Sequence, residues 1–496
     1  MVVRNNRTMT MHLLAAAILA AVATTNSNGV GVLPEAVFAA NAVKEASPAV
    51  RTIVVMPGKT LGAIKPLHGV NNGPITPRAY QSRSNFTAYK AARIPSARTH
   101  DSALYGGYGG SHVADISAIF PDFDKDETDP ASYDFAYTDR MLDTIRKAGT
   151  EVFYRLGQSI EHGIKKYHVG PPKDFAKWAR ICEHVIRHYN EGWADGFKWN
   201  IRHWEIWNEA SNNSPKNPTC WGGTEAQFHD FYEIVARHLK KRFPDLMIGG
   251  PATTGWEAWS ERFLIEMGKR KVPMDFFSWH SYQTTPEAVV KRAENLRRYM
   301  DENGFKNAKS YMTEWNYVRD WNHEWAYSLS VESGARCLKG AAYAASVISS
   351  CQNAPVDLAH YYDARPNTAM NGLFKATKPI PGYYAIYAWS KLAALGTQVE
   401  TKNLRSSDKY DFDDVYVTAA TDGKGRFGIY LARFSEDDNS VRMKRVRVRV
   451  EGVSLAGFFA HTTDSSRLFT EVPLEAEADG SAFLEFEPNS LVYIGN

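Results

Sequence analysis

The sequence predicts an α/β protein: a (β/α)8 TIM barrel followed by a C-terminal antiparallel β-sandwich. Three observations carry that expectation. Between residues 66 and 396, eight short apolar, β-favouring segments alternate with helical periodicities, the arithmetic of eight βα units over about 330 residues. After residue 397 the hydrophobic period falls to two, as in Arg445–Val450, where Val446, Val448 and Val450 alternate with arginines. Neither G-x-G-x-x-G nor G-x-x-x-x-G-K follows an early strand, which leaves the rival doubly wound sheet without its phosphate loop.

The candidate barrel strands are His68–Asn71, Ala97–His100, Glu151–Leu156, His203–Asn208, Met247–Pro251, Asp275–His280, Ser310–Glu314 and Val356–Tyr361. Between them, Met141, Leu142, Ile145 and Ala148 mark one helix. Phe228, Phe231, Tyr232, Val235 and Leu239 mark another at i, i+3, i+4, i+7 and i+11. Further helices are expected over Phe175–Tyr189, Trp259–Lys269, Pro286–Glu302, Val331–Ser350 and Tyr383–Leu395. In residues 397–496, Asp413–Ala419 and Arg426–Arg433 flank the hairpin signal Thr421-Asp422-Gly423-Lys424-Gly425, and Phe483–Phe486 and Leu491–Ile494 add two strands. Residues 51–65 hold an isolated strand, Thr52–Met56, expected to join the sandwich. The stripe Arg442–Arg449 reads as the solvated face of a half-buried strand.

At the N-terminus, Arg4 and Arg7 precede the apolar run Leu13–Ala23, which ends in Ala21-Val22-Ala23. That pattern reads as a signal peptide over residues 1–23, too short for a membrane span of roughly 20 apolar residues. Residues 24–50 read as a linker. The expected location is secreted or periplasmic, with no membrane association beyond export. With 58 basic against 55 acidic residues, 44% hydrophobic and 23% charged, the chain has no field that would select nucleic acid. Thirteen Trp and 25 Tyr supply flat faces that suit sugar rings as well as a core. Cys182, Cys220, Cys337 and Cys351 permit disulfides in an exported protein, but Cys337 and Cys351 lie on one expected helix, roughly 21 Å apart, and cannot bridge there. No C-x-x-C or H-E-x-x-H spacing argues for zinc, and neither metal nor cofactor is expected. Asp122, Asp124 and Asp126 alternate in a loop with Asp129, yet the loop lacks the Gly and terminal Glu of a calcium loop and reads as a solvated acidic loop.

Two stretches carry the chemistry. His203-Trp204-Glu205-Ile206-Trp207-Asn208-Glu209 ends the fourth expected strand on a carboxylate, and Tyr311-Met312-Thr313-Glu314-Trp315-Asn316 ends the seventh the same way. Both then sit at the C-terminal mouth of the barrel, where such enzymes place their catalytic groups. Two carboxylates flanking a sugar hydrolyse a glycosidic bond, one protonated to assist the leaving group and the other ionised to attack or to activate water.

These motifs resemble those of clan A glycoside hydrolases, most closely glycoside hydrolase family 39. Trp207-Asn208-Glu209 resembles its acid/base motif and Thr313-Glu314-Trp315-Asn316 its nucleophile motif. Arg98-Thr99-His100, Gly249-Gly250-Pro251 and His280-Ser281-Tyr282 match in support. Ala210 departs from the Pro that many members carry. The resemblance implies a retaining double displacement on a carbohydrate substrate, with β-xylosidase activity first and other β-glycosidase, arabinosidase or iduronidase-like activities behind it. A non-catalytic carbohydrate-binding barrel is the alternative of another class. It further implies Glu209 as acid/base, Glu314 as nucleophile and Asn208 as the contact to the hydroxyl beside the anomeric carbon. Arg98 would hold Glu314 ionised, Tyr282 would donate to Glu314, His280 would orient Glu209, His100 would touch the sugar, and Trp315 or Tyr361 would offer a stacking face. Bland readings stand beside these. Arg98 could instead neutralise Glu205, His280 could be a core histidine, Trp207 could be packing, and Glu161-His162, at the same mouth after the third strand, reads equally as a substrate contact or a loop salt bridge. Sugar, linkage, cleavage mode and oligomeric state are left open.

Overall fold

The structure is a computed structural model that describes residues 50–75, 84–102, 112–161, 163–212, 218–321, 323–366, 370 and 372–496. The expected signal peptide, nearly all of the expected linker, and His162 lie outside them.

Eight parallel strands close into a barrel in chain order: β2 (Gly69–Asn71), β3 (Ser96–Arg98), β4 (Glu151–Leu156), β5 (His203–Ile206), β6 (Met247–Thr253), β7 (Phe276–Gln283), β8 (Lys309–Tyr317) and β9 (Leu358–Tyr361). β5 is the fourth barrel strand and β8 the seventh, the places expected for the two carboxylate motifs. The lower barrel interior is filled by the rings of Phe153, Phe276 and Tyr311 with Leu358, one inward residue from each of four strands. His203 stacks on Phe153 at 5.4 Å between ring centres. That apolar plug forces the polar chemistry upward to the mouth.

The strands differ from expectation mainly at their upper ends. β5 stops at Ile206 rather than Asn208, because Trp207 (φ 71°) and Glu209 (φ 49°) adopt left-handed backbone that a strand cannot hold. β7 and β8 run three residues further than expected, to Gln283 and Tyr317. β8 also carries one extra residue: Trp279 pairs with Met312 and His280 with Glu314, while on the other side Met312 pairs with Ala359 and Trp315 with Tyr361. Alternation from the inward ring of Tyr311 would turn Glu314 outward. The bulge reverses the parity and aims it into the barrel.

The amphipathic helices cover the barrel, among them Ala136–Lys147, Phe175–Asn190, Glu225–Arg242, Glu257–Lys269 and Pro286–Glu302. The helix expected over Val331–Ser350 is two pieces, a π-helical turn at Val331–Ala335 and an α-helix at Leu338–Cys351. Cys337 and Cys351 thus sit at opposite ends of that α-helix, and all four cysteines are free.

The C-terminal region forms a nine-stranded sheet that β1 (Arg51–Ala63) enters between Thr397–Leu404, antiparallel, and Lys444–Val450, parallel. Strands from both ends of the sheet share one core that includes Ile53, Val448, Ala460, Leu484 and Ile494, so the sheet closes over itself. Its second face packs on the barrel. Along Phe427–Arg433, Ile429 and Leu431 enter the sandwich core, while Tyr430 and Ala432 join the core of the barrel and its helices, which is why the whole strand is buried. Arg445 and Arg447 lie over the Phe483 ring on the outer face, consistent with a half-buried strand.

Candidate active site

Arg98, wholly buried at the end of β3, organises the mouth. Its Nε donates to Glu205 (2.6 Å), Nη1 to Glu314 (2.8 Å) and Asn71 (3.1 Å), and Nη2 to Asn208 (2.7 Å). The two readings of Arg98 are therefore both realised: it neutralises Glu205 and holds Glu314. Only a guanidinium fork reaches four acceptors at once, so lysine is not an equivalent here.

Glu314 accepts from Arg98 on Oε1 and from the Tyr282 hydroxyl on Oε2 at 2.7 Å. Burial raises its carboxyl above the ordinary 4.5 and the neighbouring Glu209 adds to that rise, while Arg98 and the Tyr282 hydrogen bond oppose it without cancelling it. Glu209 differs in that, among the described residues, no cation is bonded to it. Burial raises its carboxyl from 4.5 to about 7, against the more distant pull of Arg98. Its Oε1 is hydrogen-bonded to Nδ1 of His280 at 2.7 Å, and burial lowers that imidazole to about 4, which keeps it neutral. The environments thus divide the pair into a carboxyl that keeps its proton to near neutrality and a carboxylate braced by donors.

One oxygen from each of Glu209 and Glu314 lies within 4.8 Å of the other and of a His280 ring nitrogen. These three are the metal-competent group among the described residues. The set suits protons better than a cation, because Arg98 already neutralises Glu314, and His280 Nδ1 is engaged with Glu209.

The backbone aims Glu209 as well. Its N–H donates to Ala252 O (3.0 Å), and the Trp207 N–H donates to Leu156 O (2.6 Å). Trp207 itself is packing: its indole donates to Cys220 O and its ring lies against Trp178, Trp221 and Phe231. Asn208 leaves its Nδ2 without a hydrogen-bond partner among the described residues, as do both ring nitrogens of His100, whose Nε2 is 3.5 Å from Glu314 Oε1. Buried donors left unmade are costly, and sugar hydroxyls would satisfy them. Arg98, His100, Asn208, Glu209, His280, Tyr282 and Glu314 are therefore brought together.

Trp315 and Tyr361 are not. The bulge that turns Glu314 inward turns Trp315 outward, and the two rings meet edge to face at 5.2 Å in the helix layer. Trp315 is 0% and Tyr361 1% exposed, and a Cβ on Gly372 would lie 2.2 Å from the Tyr361 hydroxyl oxygen. Neither ring offers a stacking face to the site. Glu161 accepts from the backbone N–H groups of Tyr167, His168 and Val169 and clasps its own loop. In the acidic loop, Asp124 pairs with Lys173, and Asp126 and Asp129 accept from backbone N–H groups two residues on.

Several site residues escaped the sequence reading. Asn71 bridges Arg98 to Thr313 O, and Asp101 accepts from the Tyr362 hydroxyl (2.7 Å) and presents an Oδ1 unpartnered among the described residues. Cys220 places its thiol 4.0 Å from Glu209 Oε2. Position at a strand end was the available signal for Asn71 and Asp101. Cys220, in a loop after β5, had none.

A closed barrel carrying two carboxyls at the ends of its fourth and seventh strands, with a β-sandwich behind it, defines the general class: a (β/α)8 barrel with a paired-carboxyl site at its mouth. The model of glycosyl hydrolases family 39 matches residues 109–370, just over half of the chain, and the chain belongs to that family. A beta-xylosidase of Geobacillus stearothermophilus is 27% identical over 238 residues, covering 42% of this chain. The match spans 46% of that relative, less than half of its length. Among solved structures, a glucosidase of Croceicoccus marinus superposes with a TM-score of 0.70 at 18% identity over 91% of this chain and 99% of that one. The family 39 enzyme of Xanthomonas axonopodis pv. citri does so with 0.63 at 18% identity over 92% and 99%. Both share this fold.

Proposed function

We propose that the protein is a retaining glycoside hydrolase that cleaves β-xylosides. The observation that carries the reading is the division of labour between the two carboxyls, Glu209 held near 7 and Glu314 braced by Arg98 and Tyr282. Glu209 donates its proton to the leaving oxygen while Glu314 attacks the anomeric carbon. Water, deprotonated by Glu209, then hydrolyses the glycosyl ester on Glu314. The closeness of the two carboxyls, with oxygens within 4.8 Å, favours this retaining geometry over the wider spacing that admits a water for inversion. Asn208 Nδ2 is the donor available for the hydroxyl beside the anomeric carbon, where a hydrogen bond strengthens as charge develops. Xylose as the glycone is drawn from the beta-xylosidase relative.

Hydrolysis of a panel of aryl β-glycosides tests this, with xyloside expected to be cleaved fastest and the first product to keep the β configuration. An α product, or sugar binding without turnover of any glycoside, would refute it. Export belongs to the same proposal and rests on the Arg4/Arg7 and Leu13–Ala23 pattern. Cell fractionation with N-terminal sequencing of the mature chain checks it, and an intact Met1 in the cytoplasmic fraction counts against it.

A further inference from the structure

The mouth of the barrel is lopsided. Buried polar groups gather after β2, β3 and β9, where Asn72 donates to Asp363 and the Tyr362 hydroxyl donates to Asp101, with His100 beside them. The loop after β8 is built in the opposite style. There Trp321 is 54% exposed, its ring meets Tyr282 edge to face at 5.1 Å, and Tyr327 stacks behind it at 5.4 Å and 26°. Tyr282 is the residue whose hydroxyl donates to Glu314, so one side chain separates this indole from the reacting carboxylate.

The loop is also anchored. Arg319 donates from Nε to Glu436 (2.8 Å) and from Nη1 to Asp438 (2.6 Å) in the sandwich, and its N–H donates to Ser330 Oγ (2.9 Å). Tyr317, at the end of β8, donates to Glu436 as well. A firmly held loop that keeps an indole half exposed at the rim of the site, backed by the partly buried Tyr327, calls for something flat to cover it. The polar half supplies the hydrogen bonds that select a single bound sugar. The aromatic half suits the part of the substrate beyond the cleaved bond, since the apolar C–H face of a pyranose packs on an indole with little demand on its hydroxyl pattern.

We propose that Trp321, backed by Tyr327, is the platform for the sugar on the leaving-group side of the cleaved bond, and that the sandwich holds this platform in place through Arg319. The inference rests on the glycosidase reading and names a subsite for it.

The test compares wild type, Trp321→Ala and Trp321→Phe on two substrates with the same glycone: xylobiose, which has a leaving-group sugar, and β-xylosyl fluoride, which has none. The ratio of kcat/KM for xylobiose to that for the fluoride is expected to fall about tenfold in Trp321→Ala, chiefly through KM, and to recover largely in Trp321→Phe. An unchanged ratio overturns the proposal, whether both rates fall together or neither falls. A wild type inactive on both substrates overturns the glycosidase reading first and this subsite with it.

Discussion

Replacing Glu209 by Gln isolates the proton held on that carboxyl. In the folded protein that carboxyl holds its proton to about 7, whereas in the unfolded chain it is released near the ordinary 4.5. Between those values the native state binds more protons at this site than the unfolded state, so its contribution to stability is complete below pH 4.5 and is lost as the pH rises through 7. Ionising Glu209 in place then costs the fold about 3 kcal/mol. Gln keeps the shape and never ionises. The difference in unfolding free energy between Glu209→Gln and wild type should therefore be flat below pH 4.5, grow in favour of the variant up to pH 7, and level off at about 3 kcal/mol. His280, held near 4, adds little to that window. Urea unfolding of both proteins in one buffer series from pH 4 to 8.5 measures the difference, in which the titrating groups that do not interact with Glu209 cancel. A difference that does not move with pH would refute the placement of the proton on Glu209.

Other outcomes follow from the same geometry. Arg98→Met leaves Glu205 buried without its cation and should destabilise the protein by about 3–5 kcal/mol; urea unfolding should show Glu205→Gln restoring part of that loss in the double variant. Asn208→Ala should lower kcat by about 100-fold or more on a normal xyloside, and much less on one lacking the hydroxyl beside the anomeric carbon, read from initial rates on the pair. The kcat/KM of wild type should decline as the pH rises through about 7, where Glu209 loses its proton. Trp315→Phe should lower thermal stability while leaving KM unchanged, because that ring packs in the helix layer.

The architecture was legible because each barrel strand writes its own apolar segment and each covering helix its own 3.6-residue period. Glu209 and Glu314 were legible because a carboxylate directly after an apolar strand has a known position in a barrel. Trp315 and Tyr361 were misplaced by the same logic. A one-residue bulge at Thr313–Glu314 leaves no trace in the hydrophobic pattern, yet it decides which of two adjacent side chains faces the barrel mouth. Arg98 had two plausible partners in the sequence, and only the geometry of its fork shows that it serves both. Asn71 and Asp101 stayed hidden because their importance comes from neighbours hundreds of residues away, such as Thr313 and Tyr362.

The proposed mechanism stands on Glu314 as the nucleophile. Glu314→Ala with an activated aryl β-xyloside and sodium azide tests it most directly. Hydrolysis should be lost without azide and recovered with it, and the product should be an α-xylosyl azide, formed in the cavity the carboxylate vacates. Undiminished hydrolysis by Glu314→Ala in the absence of azide would contradict it.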